Sequence, residues 1–116
     1  MRLEKRTRVE VFIPVREDDL AYEAVSRWIA EEFAFRRGGA TATTAFIGLY
    51  ASPSTGHIMR DHVQIVFTDV LVDDDDADSR DELLAELDLL RTDIERMLAG
   101  EEEIWVTMSP IGIVGR

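Results

Sequence analysis

The chain has no cysteine, three prolines and, among its 116 residues, a single lysine, Lys5. The missing thiols exclude disulfides, thiolate metal sites and a cysteine nucleophile. Long apolar runs are also absent. None approaches the roughly 20 residues that cross a bilayer, and the segment from Met1 to Arg8 is charged where a signal peptide would be apolar. The expected location is therefore the cytoplasm. Positive charge is scarce too: 13 Lys and Arg stand against 24 Asp and Glu, for a net charge of −11. A field of that sign repels phosphate backbones and anionic lipid, so neither nucleic acid nor a membrane surface is an expected partner. The seven glycines form neither a phosphate loop nor a dinucleotide fingerprint. Gly38-Gly39 ends a helical pattern ahead of a strand, the reverse of a phosphate cradle.

What is present is an ordered series of hydrophobic rhythms. Thr7 to Val15 alternates, with Val9, Val11, Ile13 and Val15 on one face. Leu20, Ala24, Val25, Trp28, Ile29 and Phe33 recur at helical spacing behind Asp18 and Asp19, and Arg36-Arg37-Gly38 closes the pattern, predicting a helix over 18–36. Thr41 to Tyr50 and Ile58 to Thr68 alternate again around Ser52-Pro53-Ser54-Thr55-Gly56, a turn by composition. Ser79 and Glu82 have capping-box spacing ahead of Leu83, Leu87, Leu90, Ile94 and Met97, predicting a second helix over 79–99. A last strand is expected from near Glu103, with Trp105 and Thr107 outward, interrupted at Ser109-Pro110; the path of Ile111 to Val114 stays open.

The order β-α-β-β-α-β in one 1–116 domain predicts an α+β, ferredoxin-like split β-α-β: a four-stranded antiparallel sheet with two helices on one face. With the aliphatic faces turned to the helices, the other face is expected to carry Phe12, Phe46, Tyr50, His62, Gln64, Val66, Trp105 and Thr107, with Glu10. So aromatic a surface calls for a cover, and self-association supplies one. A homo-oligomer with Phe12, Phe46, Tyr50, Val66 and Trp105 at its interface is the expectation.

The hairpin tip is the densest functional cluster. Tyr50, His57, Arg60 and His62 are the candidate ligand residues, Arg60 being suited to clamp a small anion. Turn chemistry alone also selects Ser, Pro and Gly there. His57 and His62 are an odd number of residues apart, which separates them across a strand and argues against a shared metal or a Ser-His-Asp arrangement. Asp73 to Asp76 invites a calcium reading, but a loop starting at Asp73 would need Gly and Glu where Asp78 and Leu84 stand. Neither a metal nor a cofactor is expected, and the aspartates are read as a solvated run at a helix start.

Gly38-Gly39-Ala40-Thr41, Gly48-Leu49-Tyr50, Gly56-His57-Ile58 and Val63-Gln64-Ile65-Val66 together resemble small bacterial ferredoxin-like proteins of unknown function, similar in layout to PII-like signalling proteins. The resemblance covers the central third. It implies an oligomer binding small ligands between subunits, although the long loop of PII proteins and a Lys/Arg cluster for a triphosphate are missing. Two functions follow: a non-enzymatic oligomeric module, either ligand sensor or interaction subunit, or a small cofactor-independent enzyme of the dimeric α+β barrel type, a monooxygenase or isomerase. A polar cavity enclosed between helices and sheet would favour the enzyme; a filled layer, the module.

Overall fold

The structure, a computed structural model, describes residues 2–16, 18–44, 46–72, 75–98 and 104–115. In chain order these form β1 (Arg2–Pro14), α1 (Leu20–Arg37), β2 (Thr41–Ala42), β3 (Phe46–Ala51), β4 (Ile58–Val70), α2 (Ala77–Met97) and β5 (Trp105–Gly115). The expected helix end at Ala99, the expected strand start at Glu103, and Asp73 and Asp74 lie outside the described residues.

All strand pairings are antiparallel, in the order β2-β4-β1-β5, with β3 also on β4. The sheet thus has five strands where four were expected. The second strand is divided: Ala42 pairs with Val66 and Phe46 with Val63, so the register of the two pairings is offset by one residue. That is the count of a β-bulge, which shifts the alternation by one position. Side chains bridge the break. Ile65 N–H donates to Thr43 Oγ1 at 3.1 Å and Gln64 Nε2 to the Thr43 carbonyl at 3.0 Å, while Thr43 N–H reaches the Ile65 carbonyl at 3.0 Å.

The β1–β5 ribbon is longer than the alternation suggests. β5 runs straight through Ser109-Pro110, with Pro110 opposite Thr7, and pairs down to Arg2. Proline is tolerated because β5 is an edge strand, where a missing N–H costs no ladder bond on the solvent side. At the opposite end, β3 and β4 extend beyond β1 as a hairpin from Ile58 to Asp61. These diagonal extensions elongate the molecule to 48 × 28 × 27 Å.

Both helices begin on an aspartate. Asp19 accepts from Ala21 N–H. In α2 the cap is Asp76 and not Ser79: its carboxylate takes both the Ser79 N–H and the Ser79 hydroxyl, so the helix starts two residues earlier than the capping-box reading places it. The carboxylate is the stronger acceptor for orphan N–H groups at a helix start. At the end of α1, Gly38 takes φ +85° and returns its N–H to the Ala34 carbonyl. Without a Cβ it enters the left-handed region at no steric cost.

One core lies between the helices and the sheet. Val9, Val11 and Ile13 of β1, Val66 and Val70 of β4, Val25, Ile29 and Phe33 of α1, and Leu83, Leu87 and Ile94 of α2 belong to a single buried cluster. Both helices therefore cover the same face. The two buried threonines are satisfied by backbone: Thr7 Oγ1 donates to the Val72 carbonyl at 2.8 Å and Thr68 Oγ1 to the Gly39 carbonyl at 2.7 Å.

Candidate functional site

The face without helices is read from the register. Directly paired residues in an antiparallel sheet share a face, so Arg8, Glu10 and Phe12 of β1 stand with Asp69, Phe67 and Ile65 of β4 and with Ser109, Thr107 and Trp105 of β5. Phe12 and Trp105 meet edge to face, centroids 6.3 Å apart at 70°, the arrangement aromatic quadrupoles prefer. Arg8 lies 4.6 Å above the Phe67 ring and reaches both oxygens of Asp69, at 2.8 and 3.1 Å. These hydrogen bonds, aided by the charges of Asp69 and Glu10 and opposed by partial desolvation, hold the Arg8 guanidinium above its usual value. Val63, paired with Pro14 and Phe46, is buried on this side, outside the main core cluster.

The orientation of β4 reverses the one expected from sequence. Val66 is fully buried in the helix-side core, so it cannot belong to an interface on the open face, and Gln64 shares its side, bonded to Ser26 Oγ at 2.8 Å. Ile65 and Phe67 take the open face instead. The cause is physical: β4 is apolar on both sides, so alternation marks two faces without saying which the helices cover. His62 follows Gln64 in parity and leaves the aromatic side. Phe12, Phe46 and Trp105 stand where they were expected, on the open face, with Phe46 and Trp105 half exposed.

The four ligand candidates are only partly brought together. Arg60 and His62 pair with Leu49 and Ile47 and, two residues apart on β4, share one face of the hairpin. His57 sits in the turn, its N–H on Thr55 Oγ1 at 3.2 Å and its carbonyl holding Ser52 N–H. Tyr50 pairs by backbone with Met59. Nearby, Arg16 grips both oxygens of Asp61 and lies 5.5 Å over the Tyr22 ring, fastening the loop after β1 to the base of the hairpin. This cluster is polar and open. Among the described residues, no group of three or more His, Asp or Glu could hold a metal.

What sequence reasoning missed is the hairpin as a surface. Ile47, Leu49 and Ile58 are exposed on one of its faces, Phe46 and Met59 on the other. The signal was available: from Phe46 to Ala51 the strand carries no charged or strongly polar side chain on either parity.

No protein-family model matches the sequence, and no curated protein matches it. Solved structures do. A divalent cation tolerance protein, CutA1, from Thermus thermophilus superposes with a TM-score of 0.56 at 13% identity, over 92% of this chain and 84% of that one. A phage SAM lyase in complex with S-methyl-5'-thioadenosine gives 0.57 at 13% identity, over 95% and 90%. The two share this chain's fold. CPII from Thiomonas intermedia K12, bound to ADP and bicarbonate, gives a looser 0.43 at 13% identity, over 97% and 91%. The resemblance noted in the central third of the sequence thus has a counterpart in fold and none at family level. No helix among the described residues is long and apolar enough to cross a membrane.

Proposed function

We propose that this chain is the subunit of a homo-oligomeric, non-enzymatic module of ferredoxin-like layout, which binds a small ligand where subunits meet. The observation that carries this reading is the β3–β4 hairpin, apolar on both faces. A two-stranded ribbon is marginal in water by itself, and a contiguous apolar surface on both sides of one is an unfinished interface. Each large side chain sealed there contributes roughly 1.5–3 kcal/mol before the cost of association. The open sheet face next to it, with Phe12, Phe46 and Trp105, extends the same surface. Arg60 and His62 sit on the hairpin's other face, beside Ile47 and Leu49. A neighbouring subunit that covered the ribbon would enclose them and give a small anion a charge-assisted partner.

The filled layer between helices and sheet supports a module over an enzyme of the α+β barrel type. Ile13, Ile29, Val66, Ile94 and Ile104 are sealed in it, and no catalytic set converges there among the described residues. The fold alone does not decide, since its neighbours include a cation tolerance protein and a lyase.

Sedimentation velocity across a concentration series tests the reading. The natural chain is expected to run as one closed oligomer, and Phe46→Asp with Ile47→Asp as a monomer with unchanged far-UV circular dichroism. A monomer at every concentration of the natural chain would overturn the proposal. Thermal shift against phosphate, nucleotides and small carboxylates then locates the ligand class, with Arg60→Ala expected to remove the shift.

A further inference from the structure

A second surface lies on the opposite side of the molecule and differs in chemistry. α1 and α2 diverge around a groove of about 250 Å³ that reaches down to the sheet at Val9 and Val70. Its floor is apolar, built by Phe33, Leu83, Leu87 and Leu90. One wall is Trp28 and Glu32 of α1; the other is Glu86, Leu89 and Asp93, a stripe at helical spacing along α2. Leu89 is 68% exposed at the lip, with a floor of its own kind beside it.

The groove itself is lined by three carboxylates and two arginines; the one-sided charge lies along the α2 wall. α2 carries seven acidic residues and three arginines, and Asp75 and Asp76 precede it. Arg36 and Arg37, at one end of the groove, already hold Glu32 and Glu86. At the other end Asp93, near Trp28, has no such partner among the described residues. β1, by contrast, carries four cations and two acids, so the chain's negative charge is concentrated on and around α2.

We propose that the groove between α1 and α2 is a docking site for a basic amphipathic helix of a partner protein, its apolar stripe on Leu87, Leu89 and Leu90 and its cations against Asp93 and the acidic flank of α2. The shape fits: a helix laid between two others meets an apolar floor and charged walls. The charge excludes the rivals. A second copy would bring another acidic α2 against this one, and nucleic acid or anionic lipid is repelled. The chain's own basic stretch is not available, because β1 is held from Arg2 onward by β5 and from Thr7 onward also by β4, and its Lys5, Arg6 and Arg8 are engaged with Asp75, Glu4 and Asp69. None of the residues lining this surface lies on the hairpin between Phe46 and Val63.

The test uses Trp105→Phe, which leaves Trp28 as the only tryptophan of the two, placed at the groove wall. Three synthetic peptides are titrated into it: an amphipathic Leu/Lys helix, the same helix with Glu for Lys, and the same with Ser for Leu. The Leu/Lys helix is expected to shift Trp28 emission saturably, the Glu version to leave it unchanged, and the Ser version to bind about tenfold more weakly or worse, a loss of roughly 1.4 kcal/mol. Leu89→Ser with Asp93→Lys, both on the rim of the groove, is expected to weaken the Leu/Lys peptide by at least about tenfold, and Asp93→Asn by less. Unchanged Trp28 emission, equal binding of the Ser peptide (attraction by charge alone), or full affinity in the double variant would each overturn the proposal.

Discussion

On the helix side of β1, Val9, Val11 and Ile13 are sealed beneath Ile29, Phe33 and Ile94. On the other side of the same strand, Arg8, Glu10 and Phe12 are covered only by their neighbours in the sheet, through an aromatic contact, a cation over a ring and an ion pair. The two sides differ in what finishes them. The first is closed within the chain by aliphatic groups that lose all their water. The second is closed halfway, by aromatic and amphipathic groups that tolerate both water and a partner. A strand built this way supports a fold with one face and offers a surface with the other.

The largest effect should come from the sealed side. Ile29→Ala leaves a cavity in the core and is expected to cost about 2–5 kcal/mol in urea unfolding. Phe12→Ala should cost clearly less in dilute solution, and under the proposed self-association its effect should grow with protein concentration. Equal costs for the two at all concentrations would erase the distinction between the faces.

A smaller effect separates the two glycines at the end of α1. Gly38→Ala forces a side chain into φ +85° and should destabilise by about 1 kcal/mol, whereas Gly39, with open space around its Cα, should accept alanine nearly without cost. Similar losses at both would mean that the turn, and not the left-handed residue, is what matters.

The smallest effect is at the start of α2. The Ser79 hydroxyl, then the Ser79 and Asp78 N–H groups, lower the Asp76 carboxyl below its ordinary value of 3.8. A carboxylate lowered on folding stabilises fully above that ordinary value, and its contribution is lost as pH falls through the lowered one. Asp76→Asn should therefore flatten the acid limb of a stability-against-pH curve below about pH 4, while leaving the neutral-to-alkaline limb parallel to the natural chain's. An unchanged acid limb would show that the cap carries no linked proton.

Much of this was legible in the residues. The helices around Ile29 and Leu87 could be read from period alone, since a 3.6-residue stripe has one buried side and no ambiguity. β1 could be read likewise, because its two parities differ: valines and isoleucine on one, charge and phenylalanine on the other. β4 could not, having Val63, Ile65 and Phe67 on one parity and Val66 and Val70 on the other. Its facing was settled by pairing with β1, which placed Val66 opposite Val11 and sent His62 away from the aromatic side. The division of the second strand was equally hidden, since a bulge depends on where two strands lock in register and leaves little mark on either strand alone.

The sequence by itself determined the succession of strand and helix patterns, the buried faces of β1 and of both helices, the acidity and the absence of thiol chemistry, because each of these is a property of residue type and short-range period. Only the tertiary structure decided which side of β4 meets the helices, how far the β1–β5 ribbon runs past Pro110, and that α1 and α2 leave an apolar-floored groove between them. Those features arise from the register between distant segments, where a one-residue slip exchanges the faces, and no local pattern records it.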